Sequence, residues 1–321
     1  MLDVILVILP ILLPILAGWT IVQVRILSRT DSHILSLFFL YLAVPSLLIH
    51  QLAKQDLAGL YDVRYIVAFL LLTIVLYGGV FLVEKLLLKR DVKVSALAAF
   101  AGSKFNAVVL ALPLLMGTLG EAASGPFIIN IVLGYFTTLP LTVALAGVSG
   151  KNNGRSAFGH ILDVFRNIFT DPLVLSALLG VILATMGVRL PDWLDGTLQS
   201  LGAAAVPTAL VATGMSISLG EIKRDFGEVL WISIVRVVIS PALAIVAAMV
   251  LRLSPVFAIA LVLCFGIATA QLVVPLCEKA EAYSAEAADV VAATTVSMVV
   301  TLPILIWICS RLWPGPIIGP L

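Results

Sequence analysis

Ten apolar runs, near residues 2–24, 33–52, 64–88, 94–119, 124–148, 170–187, 200–219, 229–251, 255–280 and 286–312, take up most of this chain. Most reach the roughly 20 residues that a helix needs to cross a bilayer. Water is absent there, so backbone N–H and C=O groups must bond within their own segment, and each run is expected to be α-helical. Composition agrees: 61% of residues are hydrophobic and 12% charged, against about 25% charged in a soluble domain. The fold class predicted is an all-α integral membrane protein in contact with lipid. Asp3 stands where a signal peptide has basic residues, and the first run is too long for a signal h-region, so it reads as a span. Net charge is +1 without a basic cluster, which argues against a nucleic-acid partner. Cys264, Cys277 and Cys309 lack zinc spacing and predict neither a disulfide nor a metal site, and no cofactor is implied.

Span 4 contains Gly102-Ser103-Lys104-Phe105-Asn106-Ala107-Val108-Val109-Leu110-Ala111-Leu112-Pro113. Counted from Val94, Lys104 lies roughly 15 Å and Asn106 roughly 18 Å into the bilayer. Pro113 has no N–H and clashes with an earlier carbonyl, so a break or kink is expected just before it. Non-helical backbone at that depth survives only inside protein or beside water, which is the anatomy of a transport site. Gly266-Ile267-Ala268-Thr269-Ala270-Gln271-Leu272-Val273-Val274-Pro275 in span 9 is its counterpart. Pro113 and Pro275 are 162 positions apart, as are Pro45 and Pro207, and Pro10 and Pro172. Chance gives about 0.4 such coincidences at one offset, so three point to an internal repeat.

Five spans per half is an odd number, so the halves must insert in opposite orientations. The first repeat is assigned to residues 1–150, a connector to 151–169 and the second repeat to 170–321. Lys151-Asn152-Asn153-Gly154-Arg155-Ser156 has the composition of a flexible linker. Twelve Lys and Arg residues lie in the loops of one side and five on the other. The richer side is expected to face the cytoplasm, leaving both termini outside the cell (inner) membrane.

Once the Lys and Arg residues in or beside the loops are counted, only Lys104 and Arg236 remain, and both fall within spans. Gly214-Met215-Ser216 in span 7 matches a short nucleophile pattern, but His33, His50 and His160 all lie near membrane edges, where none can serve as its base. Glu84, Asp289 and the acids from Glu278 to Glu286 also sit near a boundary. An enzyme is therefore not expected. The prolines of spans 1, 2, 6 and 7 read as kinks that help packing.

At these residues the chain resembles the auxin efflux carrier family, which includes plant PIN-FORMED auxin carriers and bacterial malate or malonate permeases. Asn106 stands seven residues before Pro113, as in the family's first crossover, and Gln271 stands four before Pro275, as in the second. Arg236 and Pro241-Ala242 match an Arg-x4-Pro-Ala pattern in span 8; Asp171-Pro172 and Gly214-Met215-Ser216 also fit. Lys104 departs from the pattern. The resemblance implies a homodimer through spans 2 and 7, with spans 1, 2, 6 and 7 as scaffold. Spans 3–5 and 8–10 would then be a mobile domain that moves as an elevator, with broken spans 4 and 9 crossing at their prolines. It also implies a small organic anion as substrate.

The residues themselves agree with an anion. Two broken helices aim two partly positive N-terminal ends at one place. Asn106 and Gln271 can donate and accept, and Lys104 adds a full charge. Each has a plainer reading. Asn106 and Gln271 can be interhelical glue, and Lys104 can pair with backbone carbonyls. Arg236 is either a structural anchor or a coupling residue, and Ser103 and Thr269 are secondary candidates beside the breaks. An anion and a proton on Lys104 would favour one another, so protons are the expected coupling ion. The expectation is a secondary carrier of a mono- or dicarboxylate such as malonate, malate or an auxin-like acid, bound by Asn106, Lys104 and Gln271 between Pro113 and Pro275. A sodium symporter of the bile-acid carrier type is the first alternative, but it wants acidic ligands at mid-depth. An anion channel or intramembrane enzyme comes after it.

The charge asymmetry makes a direct prediction. A reporter active only in the cytoplasm should work when fused after Lys151 and stay silent at the C-terminus; the reverse pattern overturns the orientation.

Overall fold

The computed structural model describes residues 2–54, 62–146, 172–216 and 226–315, and among these it is helical almost throughout. Its elements are α1 (Leu2–Gln23), α2 (Ser32–Leu52), α3 (Val63–Leu87), α4 (Val92–Ser103), α5 (Leu112–Leu119), α6 (Ser124–Phe136) and α7 (Thr138–Ala146). They continue with α8 (Pro172–Thr185), α9 (Asp192–Ala203), α10 (Ala205–Ser216), α11 (Phe226–Val250), α12 (Pro255–Gly266), α13 (Val273–Lys279) and α14 (Ser284–Leu312). Helices thus lie over all ten apolar runs. Six stretches are long and apolar enough to cross a membrane by themselves: Ser32–Leu52, Val63–Leu87, Val109–Ala146, Asp192–Met215, Phe226–Val250 and Ser284–Leu312. The linker at Lys151–Ser156, His160 and the loop residues Lys223 and Arg224 lie outside the described residues. Span 7 starts earlier than its apolar run, because α9 recruits the polar segment from Asp192.

The interruptions of spans 4 and 9 do not sit at their prolines. Span 4 leaves the helix at Lys104, which is extended (φ −84°, ψ 111°), and re-enters it after Asn106. Pro113 lies seven residues further on, inside a helical segment. Span 9 leaves at Ile267 (φ −85°, ψ 167°), and Pro275 is the third residue of α13. At that position a helix N–H has no partner in its own helix, so proline costs little.

Pro113 is accommodated differently. The π-helical turn Ala107–Ala111 ends two residues before it. The same arrangement recurs at Phe39–Ala43 before Pro45 and at Val235–Ile239 before Pro241. A widened turn shifts the carbonyl that the proline ring would strike and absorbs the missing N–H. Pro45, Pro113 and Pro241 therefore each follow a π-turn and not a break.

Packing divides the helices. Helix α1 lies along α10, and α2 packs on α8, α9 and α10. Elsewhere α3 packs on α4, α4 on α7, α11 on α3 and α12, and α11, α12 and α13 on α14. Helices α1 and α10 approach backbone to backbone: a Cβ on Gly18 would collide with the Val211 carbonyl, and one on Gly214 with the Ile15 carbonyl. That reciprocal contact is a physical reason for Gly214 in Gly214-Met215-Ser216, independent of any catalysis.

Gly214→Leu should therefore push α1 and α10 apart, at a cost of about 1–3 kcal/mol or more. Its unfolding midpoint in detergent should fall below that of wild type. Gly78→Ala is the control, since a Cβ there meets nothing within 4 Å; equal midpoints for the two variants would contradict the packing argument.

Candidate functional site

The two interruptions lie side by side as an antiparallel bridge between Phe105 and Thr269. The Asn106 N–H donates to the Ala268 carbonyl (3.1 Å), and the Ala270 N–H to the Lys104 carbonyl (3.0 Å). Each break thereby satisfies backbone groups that the other has freed, as backbone removed from water requires. The register sets Asn106 opposite Ala268, which is 162 positions further along the chain. The same spacing separates the proline pairs. Beneath the bridge Phe105 packs with Phe69 and Phe265, ring centroids 6.0 and 5.4 Å away.

Beside the bridge is a cavity of about 190 Å³. Lys104, Phe105, Asn106, Ala107 and Val109 line one side, and Ala270, Gln271 and Leu272 another; Ile131 of α6 and Ser36 and Leu40 of α2 complete the wall. The helical segments that follow the breaks start at Ala107 and Val273, so both partly positive starts border this space.

Lys104 is buried, and its Nζ donates to the Gly134 carbonyl at 2.6 Å. Gly134 was not legible as a site residue. A Cβ there would sit 2.7 Å from the ammonium, which would have to shift from its present place on the carbonyl. The Asn106 side chain is 5% exposed. Its Oδ1 accepts the Val109 N–H (3.2 Å) and caps the new helical turn, whereas its buried Nδ2 has no hydrogen-bond partner. An orphaned buried amide donor costs about 1–3 kcal/mol, which a bound acceptor would recover. Gln271 is half-buried on the cavity wall.

Three other candidates turn away from the cavity. The Ser103 hydroxyl donates to the Ala99 carbonyl (2.7 Å) and the Thr269 hydroxyl to the Ala101 carbonyl (2.9 Å), both in the last turn of α4 or just before it. The Thr269 N–H is taken up by Thr294 Oγ1 of α14 (3.2 Å). Arg236 is fully buried and reaches carbonyls at the ends of both α4 and α12. Pro113 and Pro275 are not among the cavity-lining residues.

Among the described residues no three or more His, Cys, Asp or Glu side chains converge. The buried acids Glu84 and Glu228 lie away from the cavity, where Glu84 accepts from Trp231 Nε1 (3.2 Å) and Glu228 from the Tyr283 hydroxyl (2.7 Å).

The family model described as "Membrane transport protein" matches residues 3–306. A protein of Rhizobium meliloti (strain 1021) named "Putative malonate transporter" is 28% identical over 216 residues, which are 66% of this chain and 66% of that protein. The match therefore leaves about a third of that relative's length uncovered. An "Uncharacterized transporter" of Methanothermobacter thermautotrophicus is 26% identical over 74% of this chain and 76% of its own. Another, of Methanocaldococcus jannaschii, is 27% identical over 74% and 77% respectively.

The hydroxyl geometry at Thr269 is testable. Thr269→Val leaves the Ala101 carbonyl without its donor, so stability should fall by about 1–3 kcal/mol with little change in ligand affinity. Unchanged stability with lost affinity would move Thr269 into the binding site.

Proposed function

This chain belongs to the membrane transport protein family, the auxin efflux carrier family that its broken spans resemble, and from that premise we propose that it is a secondary carrier of a small carboxylate. The observation that carries this reading is the unpartnered Asn106 Nδ2 in a cavity that Lys104 also lines. A carboxylate has what both want: negative charge and acceptor oxygens without a proton to donate. The starts of two helical segments add partial positive charge. Leu40, Val109, Ile131 and Leu272 offer apolar wall to a short carbon chain. Malonate is the first substrate to test, because a relative bears that name; malate and auxin-like acids follow from the family resemblance.

The mechanism we infer is an elevator built on ten spans in two inverted repeats. One pair of the bridge supports the repeat: Asn106 lies opposite Ala268 at the offset of the prolines, while Phe105 and Thr269 are 164 apart. The packing of α1 and α2 with α8–α10 supports a scaffold distinct from the body that holds the breaks. The cavity has walls from both groups, α2 on one and the broken spans on the other, which is where a carried ligand must lie if one body slides against the other. Both termini outside the inner membrane, proton coupling through Lys104 and a homodimer through spans 2 and 7 complete the reading.

Asn106→Ala should keep the fold and lose affinity. A hydrogen bond to a charged group is worth about 1.5–3 kcal/mol, so the dissociation constant should rise roughly 10- to 150-fold. Thermal-shift titration of purified wild type and variant with malonate, malate, succinate, lactate and indole-3-acetate would measure this. Wild type that responds to none of them, or a variant that binds equally well, removes the reading.

A further inference from the structure

Arg236 is a buried cation without a carboxylate among its hydrogen-bond partners. It sits in the π-turn Val235–Ile239 of α11. Its Nε donates to the Ile267 carbonyl (2.9 Å), Nη1 to the Ser103 carbonyl (3.2 Å) and Ser240 Oγ (3.4 Å), and Nη2 to the Cys264 carbonyl (3.1 Å). Ser240 Oγ is itself anchored, donating to the Phe265 carbonyl at 2.7 Å. The guanidinium carbon lies 5.6 Å from the centroid of the Phe105 ring, at the bridge itself.

Three of the four acceptors share a character. Ser103 closes α4, and Cys264 and Ile267 lie at the end of α12. A helix end carries roughly half a negative charge on its unsatisfied carbonyls, and two ends together match one positive charge. Neutral oxygens from converging backbone segments are the ligands that hard cations take from proteins. We propose that this cage is a monovalent-cation site whose occupant is the side chain of Arg236, so that the two broken spans are held together without a dissolved metal ion.

The proposal separates two roles that a carrier of this build must fill. The ends of the first half-helices need a cation, which Arg236 supplies permanently from the side away from the cavity. The starts of the second half-helices face the cavity and are left for the ligand. Arg236 is on this view a positioning residue: it fixes the bridge from which Lys104 and Asn106 project. Plain packing predicts something else, namely that any side chain of similar volume would serve.

Guanidinium rescue distinguishes the two. Purified Arg236→Ala is unfolded thermally in choline chloride, then with low-millimolar guanidinium chloride or sodium chloride, with no carboxylate present. The expected result is an unfolding midpoint several degrees below wild type that guanidinium raises saturably, with sodium a weaker substitute. Wild type should have one midpoint in sodium, potassium and choline. A variant that responds to no cation, or a wild type stabilised by sodium, overturns the proposal. Should Arg236→Ala not survive purification, Arg236→Lys and Arg236→Met decide. The charged variant should be the more stable, and equal or reversed stabilities overturn the proposal. Because no carboxylate enters these measurements, they stand whether or not the cavity binds one.

Discussion

Two backbone hydrogen bonds, Asn106 N–H to the Ala268 carbonyl and Ala270 N–H to the Lys104 carbonyl, permit everything else at the centre of this protein. A helix interrupted inside a bilayer exposes peptide groups that lipid cannot satisfy, at several kcal/mol each. One interruption would be untenable. Two, laid antiparallel, answer each other. The remaining helix-end carbonyls are then closed by side chains brought from elsewhere: Arg236 on Ser103, Cys264 and Ile267, and Thr269 on Ala101. The polar residues near the breaks are thus mostly there to complete the backbone. What is left over after that accounting is the Asn106 amide donor, in a cavity that Lys104 also lines, and it can be offered to a ligand.

This division explains which residues were legible. The membrane class, the ten runs and the two interrupted spans follow from hydropathy and from polar residues at depth, because lipid punishes both so heavily that the pattern cannot be accidental. Lys104 and Asn106 stood out for that reason, and both line the cavity. Ser103 and Thr269 stood beside them with the same polarity, but a hydroxyl in a helix can turn back on a carbonyl four residues earlier, and neighbouring backbone competes for it as strongly as a ligand does. Sequence gives the donor and not its direction. Gly134 carried no signal at all. It is one glycine in an apolar run, and its value comes only from a lysine thirty residues away in the chain.

The prolines misled about place and informed about spacing. A break was expected just before Pro113, since proline forfeits an N–H and crowds the carbonyl four residues back. Here the helix yields by opening a π-turn at Ala107–Ala111, and the actual break at Lys104–Asn106 contains no proline. The extended backbone there is paid for by pairing with its partner segment, a long-range compensation that local propensity cannot express. The 162-residue spacing, by contrast, recurs once at the bridge, where Asn106 lies opposite Ala268.

The same offset shows how unevenly the polar groups are distributed. If residues 162 apart are equivalent, the axis passes between Asn106 and Ala268, and Val109 and Gln271, which both line the cavity, are counterparts. The position equivalent to Lys104 is Gly266, that of Asn106 is Ala268, and that of Gln271 is Val109. Each polar group of the cavity has a small or apolar counterpart. A Cβ on Gly266 would meet the end of the Leu305 side chain of α14, which would have to move. Arg236 has Ile74 as its counterpart, so the cation too is supplied once. The backbone of the two breaks is arranged in pairs, and the charge is not: one fixed cation holds the ends of the first half-helices, and one ammonium and one amide face the space before the second. The polar groups at the breaks are thus unevenly shared between the two spans, which fits the proposal that the cavity takes one small anion.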